Sequence, residues 1–122
     1  MIQLVVNADD FGLTQSVNAG IVEAHGHGIL TSTTLLANGA AFDGAVEAAR
    51  NARGLGVGVH LNLTEGRPVS NPRDVPSLVN AGGELYGGPG GVMRRLLVGQ
   101  MRLEEVEREF AAQIEKVRRA GI

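Results

Sequence analysis

The chain has no cysteine and no tryptophan, and Phe11, Phe42, Phe110 and Tyr86 make up its whole supply of Phe and Tyr. Without cysteine there is no disulfide, no thiolate metal site and no thiol nucleophile. With so few rings, a stacking contact to any ligand has few candidates, and Tyr86, in a long loop, is the best placed as a substrate contact. No apolar run approaches the ~20 residues of a membrane-spanning helix. Met1 leads into a strand-like pattern and not into a basic segment with an apolar core, so the expected location is cytoplasmic. Neither sign of charge dominates: 11 Lys and Arg stand against 13 Asp and Glu, a formal net charge of −2. That balance argues against nucleic acid or an anionic membrane as the main partner.

Glycine is abundant, at 18 of 122 residues, about twice the usual share. With 43% apolar and 20% charged residues the chain is globular, and its length suits one domain with a real core. Gly12, Gly28, Gly39 and Gly54 fall where the chain must turn. Gly82-Gly83 and Gly87-Gly88-Pro89-Gly90-Gly91 read as a flexible loop. None of these is a phosphate-binding fingerprint: Gly54-Leu55-Gly56-Val57-Gly58 has the wrong spacing and leads into a strand.

Along the chain, strand and helix patterns alternate. The run Ile2–Val6 reads as a buried parallel strand delivering Asp9 and Asp10 at its end. Thr14 is a helix N-cap, with Val17, Ile21 and Ala24 on one face. Thr31–Asn38 forms a second strand. Phe42, Ala45, Val46 and Ala49 mark a second helix, and Val57–Leu63 a third strand. This βαβαβ order predicts a parallel sheet whose strands end at Asp10, Asn38 and about His60. Pro68, Pro72, Pro76 and Pro89 then interrupt residues 66–91, roughly 25 residues that are long for a βα connection and typical of a lid or binding loop. A short helix over Val92–Val98 follows. The last helix carries Leu103, Val106, Phe110, Ile114 and Val117 on one apolar face. Glu104, Glu105 and Glu107 near its start and Lys116, Arg118 and Arg119 near its end suit the helix dipole. With the pairs Glu104/Arg108 and Glu115/Arg119 they read as a solvated face.

The chemistry lies at the carboxyl ends of the strands, where α/β folds build their sites. Two adjacent carboxylates repel each other unless a cation or a proton intervenes. His60 ends the third strand, and Asp and His presented from two strand ends begin a metal site. A single Asp before Phe-Gly reads equally as a turn or capping residue; the pair together with His60 favours ligation. Asp10-Phe11-Gly12 also matches a protein-kinase triplet, but no Gly-rich loop precedes it. Asp and His ligands suit magnesium, manganese or zinc alike. Asn38 faces the same rim, as a substrate contact or as a strand-ending turn residue. His25 and His27 fall ~20 Å away at the far end of the first helix and read as helix-terminal cations.

Several segments carry a resemblance: Asn7-Ala8-Asp9-Asp10-Phe11-Gly12-Leu13, Val17-Asn18-Ala19-Gly20-Ile21, Gly28-Ile29-Leu30-Thr31-Ser32-Thr33 and Gly58-Val59-His60-Leu61-Asn62-Leu63-Thr64-Glu65-Gly66. With Glu109, Gln113 and the Ala-Gly-Ile ending, the whole chain resembles the first half of a YdjC-like carbohydrate deacetylase, the group of chitooligosaccharide and hopanoid-associated deacetylases. The resemblance implies a distorted (βα) TIM-like barrel of about twice this length, with residues 1–122 the N-terminal part of a single domain. It implies a divalent metal, usually magnesium, held by an Asp and two His, and removal of N-acetyl groups from an acetylated amino sugar. Carried over, Asp10 and His60 are metal ligands and Asp9 the general base. The family's remaining His ligand and its downstream groups lie just past the last helix, so the third ligand and the general acid are expected outside this chain. A missing C-terminal half or self-association follows, since two strand edges and the inner apolar faces of Leu4, Leu35 and Val59 or their neighbours would lack partners. The alternatives are a catalytically silent fragment with weak metal or sugar binding, and another metal hydrolase, such as a phosphoesterase, on the same barrel.

Overall fold

The computed structural model describes residues 2–122. The elements run β1 (Asn7–Phe11), α1 (Gln15–Gly26), β2 (Ser32–Leu36), α2 (Phe42–Asn51), β3 (Gly56–His60), α3 (Pro89–Leu97) and α4 (Leu103–Arg119), with a 3-10 turn at Pro72–Asp74. The sheet is parallel throughout, in the order β1-β2-β3. Thr14 caps α1 as expected, its hydroxyl accepting from the Val17 N–H at 3.2 Å.

The strands are shorter than the apolar runs suggest. Ile2, Leu4 and Val5 lie outside β1 and are exposed. The reason is register: Asn7 stands opposite Ser32, where β2 begins, and the last backbone bonds at that end run from Thr31 and Ser32 to the Val6 carbonyl. Beyond that point no strand among the described residues lies alongside. β2 and β3 likewise stop at Leu36 and His60, short of Asn38 and Leu63.

Helices cover one face of the sheet. Phe11, Leu35, Ile21, Phe42, Ala45 and Val117 form the main core there, with Ala8, Val57 and Val59 packed against it. Leu35 is completely buried, so the expectation that Leu35 and Val59 would line a bare apolar face is corrected. Side chains alternate along a strand, and the residues left for the other face are Asn7, Asp9, Ser32, Thr34, Gly56 and Gly58, with Leu36 and His60 at the carboxyl end. That face is mostly small and polar, and Leu36, its large apolar member, is buried.

The 66–91 segment has a core of its own. Val75, Leu78, Val79 and Leu85 are buried together, and Val79 and Leu85 form an antiparallel bridge. α3 begins at Pro89 and not Val92, because proline at the first helical position is already at a helical φ. Gly90 and Gly91 thus lie in a helix and not in a flexible loop.

α4 departs most from its sequence pattern. Its buried row is Glu105, Glu109, Gln113 and Val117, whereas Leu103 and Ile114 are exposed. Glu105 is therefore not part of a solvated face: its Oε2 accepts from the Ser77 N–H at 2.7 Å. Glu109 accepts from the N–H groups of Val69 (2.8 Å) and Ser70 (2.9 Å). Gln113 both accepts from the Asn62 N–H (2.9 Å) and donates to its carbonyl (2.6 Å). The irregular segment has backbone donors with no strand or helix to receive them. An unmet buried donor costs about 1–3 kcal/mol, and α4 supplies the acceptors. The Glu115–Arg119 pair forms at 2.7 Å, while Arg108 donates to the Asp74 carbonyl at 2.9 Å.

Candidate functional site

Asp9, Asp10 and His60 meet at the carboxyl end of the sheet. A regular strand would send Asp9 and Asp10 to opposite faces. β1 is not regular there: its register with β2 shifts between Ala8 and Phe11, and Asp10 has a φ of 65°. That left-handed conformation is uncommon outside Gly, Asn and Asp, and an irregularity of this kind re-aims side chains. Both acids consequently approach one imidazole, Asp9 Oδ1 at 3.8 Å from Nδ1 and Asp10 Oδ1 at 3.8 Å from Nε2.

The bend is braced from behind. The Gly12 N–H donates to Asn18 Oδ1 at 2.7 Å, the Asn18 amide donates to the Ala41 carbonyl at 3.1 Å, and the Ala41 N–H donates to the Gly12 carbonyl at 2.8 Å. Gly39 sits so close that a Cβ there would collide with the Gly12 carbonyl oxygen. Asn18 is buried, and sequence reasoning gave it no role. Its signal was a polar residue beside the apolar positions of α1's first turn.

Two more residues escaped the sequence reading. The Thr34 hydroxyl lies 2.7 Å from Asp9 Oδ1 and 3.0 Å from His60 Nδ1. The Asn7 amide donates to the same Asp9 oxygen at 2.9 Å. The available clue was the two-residue period that puts Asn7, Asp9, Ser32 and Thr34 on one face.

A cavity of about 390 Å³ opens beside Asp10 and His60, with Leu13, Leu36 and Ala40 as an apolar wall. Asn38 lines it too, but its amide is committed: it donates to the carbonyls of Glu65 (2.9 Å) and Arg67 (3.0 Å) and accepts from Asn62 at 3.0 Å. Its visible work is to hold the 62–67 rim. Tyr86 lies apart from the cavity lining, and the Arg95 guanidinium covers its ring at 3.7 Å. His25 and His27 are also elsewhere, His25 against the Leu30 and Arg53 carbonyls and His27 against Glu23.

The donor set can be tested for a cation. Two ligands about 2.1 Å from one ion lie no more than about 4.2 Å apart, and Asp10 Oδ1 and His60 Nε2, at 3.8 Å, fall within that span. Among the described residues no three Asp, Glu or His side chains converge in metal-holding geometry. The chain thus brings two donor atoms to a separation compatible with one ion.

A parallel α/β sheet with an acid pair and a histidine at its strand ends, beside a half-polar cavity, defines a protein that builds a site at the carboxyl edge of its sheet. Comparison with known proteins makes this specific. A family model described as YdjC-like protein matches residues 3–122, and the chain belongs to that family. It is 45% identical over 120 residues to a carbohydrate deacetylase of Brevibacillus brevis, covering 98% of this chain and 45% of the relative. A chitooligosaccharide deacetylase of Serratia marcescens is 41% identical over 110 residues, covering 90% of this chain and 41% of that one. A solved structure from Enterococcus faecalis V583, described as a cellobiose-phosphate cleavage protein, superposes with a TM-score of 0.84 at 39% identity. It covers 97% of this chain and 44% of its own. The chain spans about half the length of the curated relatives it matches. No helix among the described residues is long and apolar enough to cross a membrane.

Proposed function

We propose that this chain supplies the first part of a metal-dependent deacetylase site acting on an acetylated amino sugar, on what becomes one side of a (βα) barrel. The observation that carries the reading is the facing pair Asp10 Oδ1 and His60 Nε2, 3.8 Å apart, with Asp9 beside them. The names of the relatives support it as well. Asp10 and His60 would hold a divalent cation, magnesium in the family's usual case, with manganese and zinc compatible with the same donors. When bound, it supplies Lewis-acid activation of a water and of the amide carbonyl.

The rest falls to the chain. Asp9 is the general base. Thr34 and Asn7 both bond its Oδ1, which leaves Oδ2 to take a proton from the attacking water. Leu13, Leu36 and Ala40 offer an apolar wall beside these polar groups, chemistry suited to an acetyl methyl next to its carbonyl. Asn38 keeps the rim in place at the sugar-facing side.

The test is acetate release from an N-acetylglucosamine oligomer by this chain mixed with the segment of the Brevibacillus relative that it does not match. Magnesium-dependent release, abolished by Asp9→Asn and by His60→Ala, is the expected result. No release from the mixture in magnesium, manganese or zinc would make the chain a silent fragment. The Enterococcus neighbour's description favours one second reading, cleavage of a phosphorylated disaccharide, which the same assay separates by following phosphate and sugar products.

A further inference from the structure

We infer that Thr34 is a positioning residue of this site: its hydroxyl locks His60 in the tautomer whose Nε2 lone pair faces Asp10. The inference rests on the reading of Asp10 and His60 as ligands, and it follows from counting protons. The hydroxyl has one hydrogen and two neighbours, Asp9 Oδ1 at 2.7 Å and His60 Nδ1 at 3.0 Å. An ionised carboxylate only accepts, so the hydroxyl proton goes to Asp9. The hydroxyl oxygen is then left to accept, and the proton in the second bond belongs to His60 Nδ1. A neutral imidazole with its proton on Nδ1 has its lone pair on Nε2, the atom 3.8 Å from Asp10 Oδ1. Two acceptors face each other with no proton between them, which is the arrangement a cation completes.

The sheet prepares this contact. Thr34 on the central strand stands opposite Gly58 on β3, and Leu36 opposite His60. Glycine puts no side chain beside Thr34, so the His60 ring, two residues on, reaches across to the hydroxyl. β-Branching restricts the χ1 of Thr34. An unconstrained neutral histidine side chain favours the Nε2–H form, the wrong one for a ligand at Nε2. In this site the threonine does for histidine what a carboxylate or carbonyl often does beside a metal, and it links the ligand to the base in one chain, Asp9–Thr34–His60.

The test reads the tautomer directly, in the metal-free full chain, by nitrogen-15 NMR of His60 at a pH that keeps the ring neutral. The wild type is expected in the Nδ1–H form. Thr34→Val, which preserves shape and strand preference but has no hydroxyl, is expected to move the ring toward Nε2–H. Thr34→Ser, with the hydroxyl restored, is expected to return it. Titration with manganese alone adds a second readout, a fall of about 10- to 100-fold in affinity for Thr34→Val with recovery in Thr34→Ser. A wild-type ring in the Nε2–H form, or a tautomer unchanged in a folded Thr34→Val, overturns the inference. If the tautomer follows the hydroxyl but manganese binds none of the variants or the wild type, the metal reading of the site fails and the positioning of His60 by Thr34 stands.

Discussion

His25 illustrates how one side chain can tie together connections that are far apart in sequence. Its Nδ1 lies 2.8 Å from the Leu30 carbonyl and its Nε2 3.1 Å from the Arg53 carbonyl. Two acceptors ask for two N–H donors, which only the imidazolium has. The bonds to Leu30 first, and then to Arg53, raise its pKa above the ordinary 6.5. A raised folded pKa means that the proton is held more tightly in the native state. The stabilisation is complete below about pH 6.5 and is lost as pH rises through the higher folded value. The melting temperature should therefore decline across that interval, and His25→Ala should flatten that part of the profile. Circular dichroism melts at a series of pH values check it, with a small effect expected because the ring is only partly buried.

At the scale of elements, α4 makes the sharpest prediction. Glu109 is fully buried and receives two backbone N–H groups and the Gln113 amide. Glu109→Ala strands these donors and should cost about 2–5 kcal/mol, read as a lower urea midpoint at unchanged slope. Glu107→Ala on the exposed side should cost little. The same helix shows what the sequence could and could not reveal. Its existence, its ends and its charge polarity were legible from periodicity. Which side faces inward was not, because burial went to the row that satisfies loop donors and not to the most apolar stripe. The parallel βαβαβ order was legible for the same local reasons, but β1 begins later than its apolar run, since strand limits depend on where the neighbour starts. Asp9, Asp10 and His60 stood out as chemical types at strand ends. Thr34 and Asn18 did not, because a threonine in a strand and an asparagine in a helix are ordinary until their partners are seen.

At the scale of the whole molecule, the described residues hold one three-stranded parallel sheet whose outer strands are β1 and β3. Among the described residues β1 and β3 each pair on one side only, and just before β1 the apolar Ile2, Leu4 and Val5 are exposed. Open edges recruit other strands. Light scattering of the purified chain should show species larger than one chain; a stable monomer with a single cooperative melt would contradict this. The free face of the sheet acts the other way, since Asn7, Asp9, Ser32 and Thr34 give it little greasy area, so association should proceed by strand edges and not by face-to-face stacking. One further consequence follows from the polar row of α4. Because Glu105, Glu109 and Gln113 hold the backbone at Ser77, at Val69 and Ser70, and at Asn62, the long segment and the helix form one opening unit. A protease cutting between residues 62 and 77 would have to wait for α4 to lift, so a stretch that looks like a loose loop would resist digestion for as long as the helix stays down.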